Sequence, residues 1–172
     1  MPFQIKLASA QDFDAVLTLI QAVWACLPQK EWFAADPPSQ TRRLLAQGKM
    51  TAYQAVETKT GKLAGVFLTA FPGRSRENLG RDIGLPDTEL ERVAHMDTAA
   101  ILPEYRGNRL QIRLMRRAEE DLRQQGFGYL LCTVHPDNRF SRDNMLRQGY
   151  QAVKITKKYG GLPREILCKE LK

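Results

Sequence analysis

The stretch from residue 93 to residue 125 constrains the fold of this chain more than any other. VAHMDTAAIL (93–102) holds one carboxylate and one imidazole among eight small or apolar residues, the composition of a strand covered on both faces. Pro103 stops that strand, and a helix is predicted from about Gly107 to Gln125. Leu110, Leu114, Met115, Ala118 and Leu122 recur at helical spacing on one of its faces, with Arg116/Glu120 and Glu119/Arg123 paired four apart on the other. A covered strand leading directly into an amphipathic helix requires a layered α/β architecture.

Around this unit the hydrophobic period switches repeatedly between two and 3.6. Residues 2–8 (PFQIKLA) read as a strand, and Ser9 with Asp12 forms a capping-box-like helix start. Phe13, Val16, Leu17, Ile20, Val23, Trp24 and Leu27 then fall on one buried face until Pro28 ends the run. A shorter helix runs from the cap Ser39 to Gly48, anchored by Leu44 and Leu45. Residues 51–58 and 62–71 make a hairpin, while the Gly-rich, charged stretch 73–87 reads as a mobile flap. A strand (128–135), a helix (138–148) and two strands (150–158 and 164–171) complete the order β-α-α-β-β-β-α-β-α-β-β. A chain of 172 residues is expected to form one domain, 1–172.

Composition narrows the classes further. Lys and Arg number 26 against 19 Asp and Glu, a formal net charge of +7 that favours anionic partners. Cys26, Cys132 and Cys168 are odd in number and form no C-x-x-C pair, so neither a disulfide framework nor a metal site is expected and a reducing cytoplasm fits best. The start MPFQIKLASAQDFD lacks the basic residues and the run of about 7 to 15 apolar residues of a signal peptide, and no window approaches about 18 uncharged apolar residues. Export and membrane spanning are not expected.

The chemistry is concentrated where the long helix begins. The first four N–H groups of a helix lack partners inside it, and the macrodipole places about half a positive charge there. Arg106, Arg109 and Arg113 crowd this end, where each cation is disfavoured by roughly 0.3 to 1 kcal/mol. Gly107 gives a ligand access to the main chain, so a bound phosphate or diphosphate would offset that charge. The alternative is that these arginines are solvated and paired with Glu104 and Glu120.

ILPEYRGNRLQ (101–111) resembles the segment of the GNAT superfamily of N-acetyltransferases in which a strand ending in a V-x-P-x-Y-R-G pattern leads into a [Q/R]-x-x-G-x-[G/A] loop. HPDNRFSRDNMLRQGY (135–150) is similar to that family's second motif, with Asn138, Ser141, Gly149 and Tyr150 in register. The resemblance implies a GNAT-like mixed, mostly antiparallel central sheet with helices on both faces, and acetyl-CoA as co-substrate. It implies that the backbone of Ala100, Ile101 and Leu102 holds the pantetheine arm. Arg106, Gly107, Asn108, Arg109, Leu110 and Gln111 would hold the diphosphate, and Asn138 and Ser141 would add cofactor-side contacts. Arg109 and Gln111 stand where the family usually carries glycines, and Met145 stands where many members place the tyrosine that protonates the departing thiolate.

Acetyl transfer to an amine needs a base, because an alkylammonium has a pKa near 10.4. His95 and Asp97 are two apart on one strand and so share a face, where a carboxylate could orient an imidazole. Each also has a structural reading: His95 as a hydrogen-bonded core histidine, Asp97 as an acceptor for backbone or hydroxyl groups. Tyr105, Tyr150, Tyr159 or water could supply the acid. Cys132 reads as a buried thiol, His135 as a loop imidazole bonded to nearby backbone, and Trp24 as core. The expected function is an acyltransferase moving acetyl from acetyl-CoA to a primary amine of a small molecule or protein by direct attack in a ternary complex. The alternative is a catalytically degenerate acyl-CoA-binding regulatory domain. A nucleic-acid binder is disfavoured because aromatics are not interleaved with the basic residues. Arg74, Arg76 and Arg81 on the flap favour an acceptor bearing a carboxylate or phosphate. No membrane partner is expected, and a homodimer is allowed.

Overall fold

A computed structural model describes residues 2–172. The elements are β1 (Phe3–Leu7), α1 (Phe13–Ala25), α2 (Pro38–Ala46), β2 (Met50–Glu57), β3 (Leu63–Ala70), α3 (Leu79–Asp82), β4 (Val93–Ile101), α4 (Leu110–Gln124), β5 (Tyr129–Val134), α5 (Arg139–Arg147), β6 (Gln151–Lys158) and β7 (Leu162–Glu170), with short 3-10 turns between them. The strands form one sheet in the order β1-β2-β3-β4-β5-β7-β6. β1–β2, β2–β3, β5–β7 and β6–β7 pair antiparallel and β4–β5 parallel. This is the mixed, mostly antiparallel sheet that the sequence led us to expect.

The chain packs as two compact units. The first holds the chain up to Pro28, Ala35–Ala70 and Asp97–Asp121. Its α1 buries Val16, Leu17, Leu19, Ile20 and Val23, each contributing roughly 1.5 to 3 kcal/mol through removal from water. The Asp12 carboxylate accepts from the Ser9 amide at 2.8 Å, fixing the helix start. Trp24 departs from expectation: it is 39% exposed, because the buried stripe is centred on positions 16, 19, 20 and 23 and the indole lies to its side. On α4 the five expected apolar residues are buried, and the partly buried Arg117 and Asp121 pair at 3.1 Å.

The second unit holds Gln29–Ala34, Phe71–Met96 and Leu122–Lys172. Here the expected mobile flap is a packed element. Asn78 is fully buried. Its Nδ2 donates to the carbonyls of Gly73 (2.6 Å) and Leu90 (3.0 Å), and its Oδ1 accepts from the Gly80 amide (2.8 Å). Leu79, Ile83 and Leu85 pack on Val93, Leu131, Ile166 and Cys168. Charge hid this packing, because two of the flap arginines stay exposed and bond to neighbouring groups on the loop's own surface. Arg81 donates to the carbonyls of Ser75 and Arg74 and to Asp87, and Arg74 pairs with Glu91.

The β6–β7 connection also differs from expectation. Tyr159, Gly160 and Gly161 have φ of +54°, +81° and +100°, a left-handed turn so tight that β7 resumes at Leu162 rather than residue 164. β6 is an edge of the sheet, and Gln151–Ile155 are exposed along it.

Candidate active site

The site is built on the turn that joins β4 to α4. Leu102 ends its strand with an amide that donates to the Ala64 carbonyl at 3.0 Å. The turn then passes through Pro103–Tyr105, and the Asn108 Nδ2 donates back to the Tyr105 carbonyl at 2.9 Å. Gly107 has φ +85° and Arg109 φ +56°, so left-handed residues flank Asn108. Alternation of backbone handedness is the kind of geometry from which anion-binding nests are built. The left-handed region costs a non-glycine residue about 1 to 2 kcal/mol, and Arg109 adopts it where the resembled family usually has glycine. The loop shape expected of glycine is therefore kept although the residue has changed.

The Arg109 carbonyl accepts from Arg113 N at 3.1 Å, the first bond of the α4 ladder, which leaves the amides of Leu110, Gln111 and Ile112 without intrahelical partners. No acidic residue lies in the first turn. The Leu110 side chain is buried and anchors the helix start. Arg106, Arg109 and Arg113 are all exposed, and the Arg113 guanidinium in addition donates to the Phe3 carbonyl at 2.8 Å.

On β4 the backbone partners sort Ala100, Ile101 and Leu102. Leu102 has spent its amide on β3. Because backbone polar groups alternate sides along a strand, those of Ile101 point away from β3. Gly65 lies so close that a Cβ there would strike the Ile101 side chain and stand 3.2 Å from the Ala100 carbonyl, so a larger residue would require the Ile101 Cδ1 to move aside and the carbonyl to shift by a few tenths of an ångström. Among the described residues the β4–β5 register runs from Val93↔Tyr129 to His95↔Leu131, so the pairing covers only the start of β4.

Asp97 and His95 share a face, as expected, but make different attachments. The Asp97 carboxylate accepts from Thr98 Oγ1 at 2.9 Å. Its side chain reaches solvent, yet protein surrounds it closely enough that desolvation pushes its carboxyl up to about 6; the Thr98 hydrogen bond opposes the rise and the Asp36 carboxylate adds to it. His95 Nε2 accepts from the Leu79 amide at 3.0 Å and so holds the start of α3. Burial pushes that imidazole down to about 4, Lys158 acting in the same direction and Asp82 against it. The expected His95–Asp97 couple is revised accordingly: the nitrogen that would take a proton is already an acceptor for backbone.

The remaining candidates sort by burial. The Tyr105 hydroxyl lies 3.5 Å from Glu57 Oε2, and its ring packs edge-on against Phe3. Tyr150 and Met145 are buried. The Tyr159 hydroxyl is 2.9 Å from Thr133 Oγ1. Asn138 caps α5, its Oδ1 accepting from the Ser141 amide at 3.2 Å. His135 Nδ1 accepts from Asp137 N at 3.2 Å, and Cys132 is a buried thiol pushed well up by desolvation. Asp36 and Arg164 were not singled out from sequence: Asp36 sits in an irregular DPP segment with no period, and Arg164 in a strand where a surface charge is the default.

Residues 17–150 match the profile of the acetyltransferase (GNAT) family, and the chain belongs to that family. Acetyl-CoA is the co-substrate that this family's fold binds. Comparison with curated protein sequences finds no match. Among solved structures the chain is similar to the ribosomal-protein-S18-alanine N-acetyltransferase of Escherichia coli (TM-score 0.71, 15% identity, covering 98% of this chain and 94% of that one). It is also similar to a GCN5-related N-acetyltransferase of Kribbella flavida (0.73, 16%, 98% of each chain). A chain of the NatC complex solved with Gag peptide and CoA aligns as well (0.74, 15%, 100% of each). At these identities the likeness is one of fold. No helix among the described residues is long and apolar enough to cross a membrane.

Proposed function

We propose that the chain, acting as one acetyltransferase domain over residues 1–172, transfers acetyl from acetyl-CoA to a primary amine of a small molecule or protein by direct attack in a ternary complex. The observation that carries this reading is the left-handed backbone of Gly107 and Arg109 at the head of α4. That alternating handedness suits a diphosphate, and strain at Arg109 is the kind held at binding sites. The amides of Leu110 and Gln111 and the side chains of Arg106 and Arg109 would hold the diphosphate. The Ile101 main chain would hold the pantetheine arm, with Ala100 and Leu102 keeping it in place through β3. Asn138 and Ser141, at the cap of α5, are kept as further cofactor contacts.

When bound, acetyl-CoA supplies the acyl thioester that the amine attacks. Asp97 is the general base: a carboxyl raised to about 6 is ionised at pH 7 yet more basic than an ordinary carboxylate, so it can take the proton of an incoming ammonium. His95 positions α3 and takes no proton. The free thiols of Cys26, Cys132 and Cys168 agree with a cytoplasmic setting.

A buried Met145 in place of the usual tyrosine favours the second reading, a degenerate acyl-CoA-binding regulatory domain. Thermal unfolding with and without millimolar acetyl-CoA, followed by an amine panel scored by free-thiol release, tests both. At about 100 times the dissociation constant, binding adds about 2.7 kcal/mol and raises the midpoint by roughly 2 to 4 °C. No shift removes both readings; a shift with no thiol released from any amine leaves the regulatory one.

A further inference from the structure

Glu57 ends β2 with its side chain turned in, only 7% exposed. A buried carboxylate ordinarily meets a cation. The groups at Glu57 Oε2 are instead two hydroxyls: Thr60 Oγ1 donates to it, and the Tyr105 hydroxyl lies 3.5 Å away. The Thr60 bond belongs to the β2–β3 hairpin itself, where the Gly61 amide also donates to the Glu57 carbonyl at 2.8 Å. The Tyr105 contact is of another kind. It joins residues 48 apart and fastens the end of β2 to the turn that carries Arg106 and Arg109.

Tyr105 is the buried point of that turn. Its ring packs edge-on against Phe3. Its amide donates to the Leu102 carbonyl at 3.0 Å, and its own carbonyl accepts from Asn108 Nδ2 at 2.9 Å. Desolvation first, and then the Glu57 and Glu104 carboxylates, push the Tyr105 phenol up, so it keeps its proton and is the donor of the pair. A left-handed backbone at a residue other than glycine persists only where surrounding contacts hold it. Arg106 and Arg109 are exposed, so the turn is held from its buried side, through Tyr105, Asn108 and Leu110.

We propose that Glu57 is a positioning residue for the cofactor: through the Tyr105 hydroxyl it fixes the turn in the left-handed shape that receives the diphosphate of acetyl-CoA. The carboxylate touches neither cofactor nor amine, and it sets affinity for acetyl-CoA, not the rate of transfer. This rests on the reading of the turn as the diphosphate site. The rival role is local, with Glu57 serving Thr60 and the hairpin while the Tyr105 ring alone holds the turn.

Tyr105→Phe is the sharpest probe, because it keeps the ring on Phe3 and removes only the hydroxyl. Titration calorimetry should show acetyl-CoA bound about tenfold more weakly, the low end of what a hydrogen bond to a charged group provides. Glu57→Leu should lose about as much, and the double variant no more than either single one. Glu57→Gln keeps an acceptor oxygen and should stay within about twofold of wild type. At saturating acetyl-CoA, kcat for the best amine should be unchanged in all four, so that the loss appears only in the KM for the cofactor. Undiminished affinity in Tyr105→Phe overturns the proposal, as do losses that add in the double variant or a fall in kcat. A loss confined to Glu57→Leu assigns the hairpin role.

Should Glu57→Leu fail to fold, Tyr105→Phe decides alone. Amide hydrogen exchange over residues 105–110, measured without ligand, should be about tenfold faster in Tyr105→Phe than in wild type. If acetyl-CoA binds neither protein, the diphosphate reading fails, while the hold of Glu57 on the turn is still judged by exchange: faster exchange supports it and equal rates overturn it.

Discussion

Asp97 and His95 sit two residues apart and respond to pH with opposite sign. For Asp97 the folded carboxyl is raised above its ordinary value, to about 6, so its stabilising contribution is complete below pH about 4 and is lost as pH rises through about 6. For His95 the folded imidazole is depressed to about 4, so its contribution is complete above about 6.5 and is lost as pH falls through about 4. The two slopes overlap and partly cancel in the wild type. Asp97→Asn should therefore make the thermal midpoint fall more steeply on acidification from pH 6.5 to 4, and His95→Gln should flatten it, as followed by calorimetry across that range. Asp97→Asn should also lower kcat by about a hundredfold or more with the acetyl-CoA thermal shift retained, and abolish the rise in rate through pH about 6. Unchanged turnover would remove Asp97 from the mechanism. Sequence could place these residues on one face by the period of a strand, but not the Leu79 amide that occupies His95, because that contact joins residues sixteen apart through a loop whose charge concealed its packing.

At the scale of elements, the β4–turn–α4 unit was the most legible part of the chain. A nearly uncharged strand and an amphipathic helix separated by Pro103 leave few other structures open, and the five apolar positions of α4 are buried as their spacing requires. What spacing could not convey was the handedness of the turn, since Arg109 is not a residue that announces a left-handed conformation. Arg109→Gly should raise stability by about 1 kcal/mol through relief of that conformation and at the same time weaken acetyl-CoA, read by unfolding with and without the ligand. Raised stability with undiminished affinity would show that the side chain makes no phosphate contact. Gly65→Ala tests the support from β3: the added methyl group must displace the Ala100 carbonyl, costing about 1 to 3 kcal/mol and raising the KM for acetyl-CoA. An unchanged KM would remove Ala100 and Ile101 from the cofactor's path.

For the molecule as a whole, the charge of +7 acts at long range on any anionic ligand. Screening falls from about 10 Å at 0.1 M salt to about 3 Å at 1 M, so the apparent affinity for acetyl-CoA should drop over that interval, and the drop should be smaller in Arg106→Gln. The same surface guards the edge of the sheet. Val153 and Ile155 lie exposed on β6, beside unpaired backbone, and Lys154 and Lys157 are the charges that discourage another strand from adding there. Those ammonium groups are themselves amines open to acylation. A preparation left with a reactive acyl donor would lose its gatekeepers one lysine at a time, and turbidity rising with lysine modification would show an enzyme whose reagent, uncontrolled, turns it sticky.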